Sequence, residues 1–256
     1  MKKIKNLFII SLAFFFNCQD AIDIDQVGRL TPDKAFESTA DFQQGLLGVY
    51  DAYDLTPEIA MGAYTDEVAV GFAGGGQGLD NSLGFILNST SDASLAFWAN
   101  GYGELASNNV LLEAALAFTP EASDQATFND IIGQLYALRA FSHFQLLSYY
   151  TPDYTDDNAL GIPLILEVQE TDAQPLRNTN GEVYAAINAD LTLAESLLAD
   201  SNAPIFVTKD FCTALRARMA AYREDYTSAS TYAQQLLAKY PIADRAQYLN
   251  MYLDTD

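Results

Sequence analysis

The sequence predicts an all-α protein built from tetratricopeptide-like helical hairpins, and three observations carry that prediction. Residues 128–150 (FNDIIGQLYALRAFSHFQLLSYY) repeat apolar side chains at Ile131, Ile132, Leu135, Leu138, Phe141, Phe144, Leu146, Leu147 and Tyr149, a 3.6-residue period and not an alternation. Thr179-Asn-Gly-Glu182 has the spacing of a capping box, and Val183, Ile187, Leu191, Ala194 and Leu198 follow it in a row. With Pro241 as the terminal proline of a repeat unit, Ala217, Ala220, Ala229 and Ala233 fall where paired helices cross, and Leu236 takes the late apolar position.

In chain order, Thr31-Pro32 caps a short helix over 33–38, since proline is favoured at a first helical position. Thr39 then caps a second helix with Phe42, Leu46, Val49, Tyr50 and Tyr53 as its apolar stripe. Gly45 and Gly48 lie on that stripe and predict a close helix approach. Residues 56–90 lose all periodicity and carry seven glycines, with neither a dinucleotide nor a phosphate-loop pattern. They read as a long surface loop. Ser91 caps a helix over 92–118, with Leu95, Trp98, Tyr102, Leu105, Val110, Leu112 and Leu116 inward and Gly101 and Gly103 breaking its regularity. Asn108-Asn109 reads as packing or capping within the fold.

The central helix follows, capped by Ser123, with only Asp130, Gln134, Gln145 and Ser148 facing solvent. A helix this apolar needs several neighbours to cover it. Arg139 and His143 lie one turn apart on its apolar side. They read as buried structural polar groups, and the guanidinium requires a carboxylate or carbonyl partner. Residues 151–160 form a polar loop whose Asp153–Asn158 oxygens do not follow the helix–loop–helix calcium pattern. It reads as solvated. Pro163 forces 161–168 to be extended. Helices over 182–198, 209–222 and 228–239 complete the chain, the last pair turning at Glu224-Asp225-Tyr226.

Composition excludes several function classes. Of 256 residues, half are hydrophobic and 18% are charged, as in folded domains. The net charge is −21, which leaves no basic stripe for nucleic acid. A single histidine and the absence of G-x-S-x-G or H-E-x-x-H leave no recognisable catalytic machinery. No metal or cofactor motif is present. Of two cysteines, Cys212 lies among apolar helix positions and reads as a small core residue.

The amino terminus reads as an address. Lys2, Lys3 and Lys5 precede ten mostly apolar residues, 7–16, a run too short to span a bilayer. Residues 1–17 read as a signal peptide, and their removal takes three lysines and no acid, bringing the charge to −24. Cys18 follows at once, the arrangement of a bacterial lipoprotein acylated on that thiol. Asn17 stands where such signals usually carry Gly, Ala or Ser, and an ordinary cleaved signal is the other reading. Residues 18–30 form an acidic tether, and 31–256 form the helical domain.

LYALRAFSHFQLLSYY with Gly161-Ile-Pro-Leu-Ile-Leu166, followed by Arg177-Asn-Thr-Asn-Gly-Glu-Val-Tyr184 and Asp190-Leu-Thr-Leu-Ala194, resembles the RagB/SusD family of outer-membrane nutrient-binding lipoproteins. The resemblance implies helical hairpins in a right-handed superhelix with long loops. It also implies a chain about twice this long, so the carboxyl-terminal half of the family fold is expected to be missing. The implied function is capture of a nutrient, most often a glycan or oligosaccharide, at the cell surface. The ligand then passes to a partner TonB-dependent (SusC-like) outer-membrane transporter, with the protein held to the membrane by its lipid anchor. A pyranose presents C–H faces and hydroxyl edges, so its site needs flat aromatics beside polar groups. Asp66, Glu67, Asn81, Trp98 and Asn100 are the candidates. The alternative is a helical-repeat adaptor that binds only protein.

Overall fold

The computed structural model describes residues 35–53, 62, 65, 92–201 and 205–253. Its helices are α1 (Thr39–Asp51), α2 (Asp92–Ala117), α3 (Gln125–Tyr150), α4 (Asn180–Leu197), α5 (Lys209–Tyr222), α6 (Tyr226–Lys239) and α7 (Arg245–Asn250). Among the described residues the one β feature is an isolated antiparallel bridge, Leu160 to Thr179. Of the short helix read over 33–38, residues 33 and 34 lie outside the described residues; Ala35 is helical but 36–38 are not, because Ser38 is extended as the cap of α1. The loop over 56–90, apart from residues 62 and 65, lies outside the described residues, as do the signal and tether.

α3 is the hub. Fifteen of its residues are buried, on every side of the helix. α4 covers it antiparallel: Gly133 near the start of α3 lies against Ala194 and Leu198, while Thr151 just past its end bonds Asn180. A Cβ on Gly133 would stand 2.9 Å from the Leu198 backbone nitrogen, so this pair closes only because the residue has no side chain. α2 lies antiparallel on another side, with Phe97 stacked on Tyr149 at one end and Phe118 against Phe128 at the other. α1 runs parallel to α3, packing Phe42 on Phe128 and donating Tyr53 Oη to the Leu138 carbonyl. α5 and α6 form the last hairpin, turned at residues 223–225 with Glu224 at φ 60°. Ala220 is buried in it, and Ala217, Ala229 and Ala233 are half-buried. Cys212 is fully buried, as its neighbours predict.

Several local expectations are corrected. Ser38, not Thr39, caps α1, exchanging hydrogen bonds with Asp41 in a capping box. Gly48 is exposed with nothing near its missing Cβ, so it makes no close approach. α2 runs unbroken through Gly101 and Gly103, and its inward face includes Gly101, Glu104, Leu105, Asn108, Asn109, Leu111, Leu112 and Ala115. Val110 and Leu116, expected inside, are 41% and 59% exposed. Asp124 stands at the N-cap of α3 without a side-chain cap bond, and Ser123 merely donates to it. Gln134 is buried, accepting from Tyr50 Oη at 2.6 Å and donating to Asp130. α6 begins at Tyr226, two residues before the predicted Ser228, with Asp225 accepting from the Ser228 amide. The Thr179–Glu182 capping box and the buried row after it stand as expected.

One segment explains the buried polar groups. Residues 161–168 run extended across α2 and α3, with their inner part buried; Gly161 and Ile162 exchange backbone bonds with Asn178 beside the Leu160–Thr179 bridge, and past Ile162 no strand lies alongside among the described residues. Buried backbone groups must find partners, and past Ile162 side chains supply them. Tyr102 Oη donates to the Pro163 carbonyl at 3.0 Å, and Asn178 accepts from the Leu164 amide at 3.0 Å. The Ile165 amide donates to His143 Nε2 at 3.2 Å, and Asn109 donates to the Ile165 carbonyl at 2.9 Å. Arg139 Nη1 donates to the Leu166 carbonyl at 2.7 Å, while its Nε and Nη2 hold Asp190 bidentately at 2.8 and 2.7 Å. The carboxylate that Arg139 requires is thus Asp190. Because His143 Nε2 accepts, its Nδ1 carries the proton and donates to the Arg139 carbonyl at 3.0 Å. Burial, reinforced by the Arg139 charge, pushes the imidazole down to about 3, so it stays neutral.

Candidate functional site

The candidate ligand surface lies where the start of α2 meets the end of α3. Gly101 sets the approach: a Cβ there would stand 2.7 and 2.8 Å from Leu146 side-chain atoms. With the helices this close, five aromatic residues gather. Phe97 is buried and lies flat on Tyr149, centroids 4.7 Å apart and planes 7° apart. Trp98 meets Tyr102, one turn on, at 4.8 Å and takes Tyr150 edge-to-face at 4.9 Å. These distances are those of favourable aromatic pairs, each worth roughly 0.5–1.5 kcal/mol beyond its buried area.

Trp98 is 37% exposed. Its indole is held in place by two tyrosines while part of the ring stays open to solvent, and its N–H has no partner among the described residues. Tyr102 is fixed by its bond to Pro163. Burial raises its phenol above the ordinary range. Burial also pushes Tyr150 up to about 12, only partly offset by the Trp98 backbone amide. Both phenols are therefore neutral hydroxyls near neutral pH, suited to hydrogen bonding and not to charge. A shallow depression beside the cluster is lined by Gly101, Gln145 and the buried Glu104. Its volume, about 10 Å³, is too small for a sugar ring.

Asn100 is half-buried on α2. Two residues beyond Trp98, it lies about 200° round the helix, so the pair does not share a face. Asp66, Glu67 and Asn81 fall outside the described residues, as does Cys18. Arg139 and His143 belong to the core and not to this surface. The sequence reading missed Tyr149, Tyr150 and Phe97 as companions of Trp98. Their signal was an aromatic pair closing one helix and another aromatic beside the tryptophan opening its neighbour.

The pattern of one SusD-like family, described as starch-binding associating with outer membrane, matches residues 25–223. The chain belongs to the SusD-like family. SusD-like protein P2 of Formosa agariphila is 27% identical over 244 residues, covering 91% of this chain and 46% of that protein. SusD-like protein P38 of the same organism is 23% identical, covering 100% and 51%. The chain thus spans about half the length of these curated relatives. Among solved structures, a SusD superfamily protein from Bacteroides vulgatus aligns with a TM-score of 0.72 at 23% identity, covering 85% of this chain and 52% of its own. A laminarin-binding SusD-like protein aligns at 0.64 with 21% identity, covering 81% and 45%. The all-α architecture is therefore that of the SusD fold. No helix among the described residues is long and apolar enough to cross a membrane.

Proposed function

We propose that this chain belongs to a surface lipoprotein that binds a glycan and delivers it to a TonB-dependent, SusC-like transporter in the outer membrane. Residues 1–17 direct export, and acylated Cys18 with the acidic tether over 18–30 holds the helical domain at the membrane. The ligand is a polysaccharide fragment of the starch or laminarin kind. Support comes from the family match and from the laminarin-binding relative. The observation that carries the reading is the part-exposed Trp98, braced by Tyr102 and Tyr150 with its N–H unused. A sugar's C–H face would lie on the open indole, with its hydroxyls meeting the indole N–H and polar groups around it. Asp66, Glu67 and Asn81 are proposed to supply those groups.

The test is titration calorimetry with maltoheptaose and laminarin oligosaccharides. Saturable binding is expected, weakened at least about 30-fold in Trp98→Ala, the loss of a contact worth ~2 kcal/mol. Binding unchanged by Trp98→Ala would remove this surface from consideration. No glycan binding, with the transporter still retained on the immobilised protein, would favour a purely protein-binding adaptor.

A further inference from the structure

Trp98 is held by rings that belong to different elements. Tyr150 is the last residue of α3, and Tyr102, on α2, is tied by its hydroxyl to Pro163 in the extended run. The indole keeps one orientation only if the end of α3 and the start of that run are fixed to each other. His143 and Arg139 tie the run to the middle of α3. Asn178 holds residues 161–164 from the other side and, among the described residues, bonds nothing on α3. At the end of α3 the tie is Arg177. Its Nη2 donates to the Tyr150 carbonyl at 3.1 Å and to the Leu160 carbonyl, and its Nε donates to the Gly161 carbonyl at 2.6 Å. Gly161 stands just before Ile162 and Pro163, and it packs so tightly on α3 that a Cβ there would lie 2.8 Å from Leu147 Cδ1.

The last carbonyls of a helix lack intrahelical partners and carry partial negative charge. α3 has no basic residue in its last turn, so Arg177 supplies the cation from another part of the chain. Among the described residues Arg177 forms no ion pair. Its charge is answered by carbonyls alone, in a chain that is −21 overall. A guanidinium is a rigid plane of N–H donors, so one that bonds two chain segments at once fixes their separation. Burial and Tyr150 raise the Tyr102 phenol while the Arg177 charge opposes them, which puts the guanidinium near that hydroxyl as well. We infer that Arg177 is a positioning residue for the glycan surface: it sets the end of α3 against the extended run and, through Tyr150 and Tyr102, fixes the indole of Trp98. The inference rests on the reading of that surface proposed above. Without the clamp the last turn of α3 frays, and a ligand must order the indole as it binds.

Trp98 is the sole tryptophan of the chain, so its emission, excited where tyrosine does not absorb, reports this surface directly. Wild type, Arg177→Met, Arg177→Lys and Arg216→Met are compared by time-resolved fluorescence anisotropy without ligand, then by titration calorimetry with maltoheptaose and laminarin oligosaccharides. Arg216 is the control, a guanidinium on α5 whose partners Asn188, Thr192 and Glu195 all lie on α4. Circular dichroism checks that each variant is folded. In Arg177→Met the fast, local part of the anisotropy decay should grow, and glycan affinity should fall about two- to tenfold, the cost of ordering one side chain on binding. Arg177→Lys, which keeps the charge but cannot span both segments, should show a smaller change of the same sign, and it carries the comparison if Arg177→Met does not fold. Arg216→Met should leave both readouts at their wild-type values. Indole mobility unchanged in the Arg177 variants, or raised equally in Arg216→Met, would overturn the inference, as would unchanged affinity. If wild type binds neither glycan, the proposed function fails, and the anisotropy alone decides whether Arg177 orients the indole.

Discussion

His143 should make the fold acid-sensitive in a way that one substitution removes. The folded imidazole titrates at about 3, because it is buried and lies beside Arg139, and its Nε2 accepts the Ile165 amide proton. In the unfolded chain it returns to its ordinary value of 6.5. The unfolded state therefore takes up the proton first as pH falls. The contribution is complete above about 6.5, declines through the acid range, and stops changing below about 3. At 1.36 kcal/mol per pH unit, lowering the pH from about 7.5 to 5 should cost ~2 kcal/mol through this residue alone. The chain's many carboxylates also titrate, so the measurement is a difference of differences. Urea denaturation of wild type and His143→Gln is followed at both pH values. The variant is less stable at neutral pH, but wild type should lose about 2 kcal/mol more than the variant on acidification. Equal losses in the two proteins would refute the assignment of a neutral, amide-accepting imidazole.

Other substitutions test the same core. Arg139→Met leaves Asp190 buried without its partner and should cost ~3–5 kcal/mol in urea denaturation, whereas Arg139→Met with Asp190→Leu should recover most of it; a double variant no better than the single would count against the pair as the source. Gly133→Ala pushes a methyl group to within 2.9 Å of the Leu198 backbone and should destabilise by about 1–3 kcal/mol. Gly48→Ala, on an exposed helix position with open space around it, should instead stabilise by up to about 1 kcal/mol; thermal melts of the two variants should move in opposite directions.

The helices were legible because their signals are local. Apolar period, capping boxes and breaker prolines located α3, α4 and α5 and the last hairpin, with ends displaced by at most a few residues. The inward face of α2 was not legible, because sequence reading assigns apolar residues to the core and amides to water. Here Asn108 and Asn109 point inward and Val110 and Leu116 outward. The amides pair with backbone carbonyls of Leu135, Ile165 and Glu167, and those partners come from elements distant in the chain. The candidate surface was half legible. Trp98 could be singled out from its own strand of text, but its bracing by Tyr150 depends on Gly101 admitting α3. That glycine reads equally well as a helix break.

The extended run 161–168 connects these failures. Pro163 announces that it is not helical, and Ile162 and Ile165 announce that it is buried. Past its two backbone bonds to Asn178, a buried extended run must borrow hydrogen-bond partners from side chains. The cost of leaving even one such group unpaired, about 1–3 kcal/mol, is a large fraction of a domain's net stability. Tyr102, Asn109, Arg139, His143 and Asn178 are those partners. The four of these that sit on helices, Tyr102, Asn109, Arg139 and His143, were thus a demand made by a segment some twenty to sixty residues away in the text. The same demand reaches the candidate surface. Tyr102, tied to Pro163 by its hydroxyl, is the ring that braces one side of Trp98. The packing of a core segment therefore sets the orientation of the indole proposed to meet the ligand.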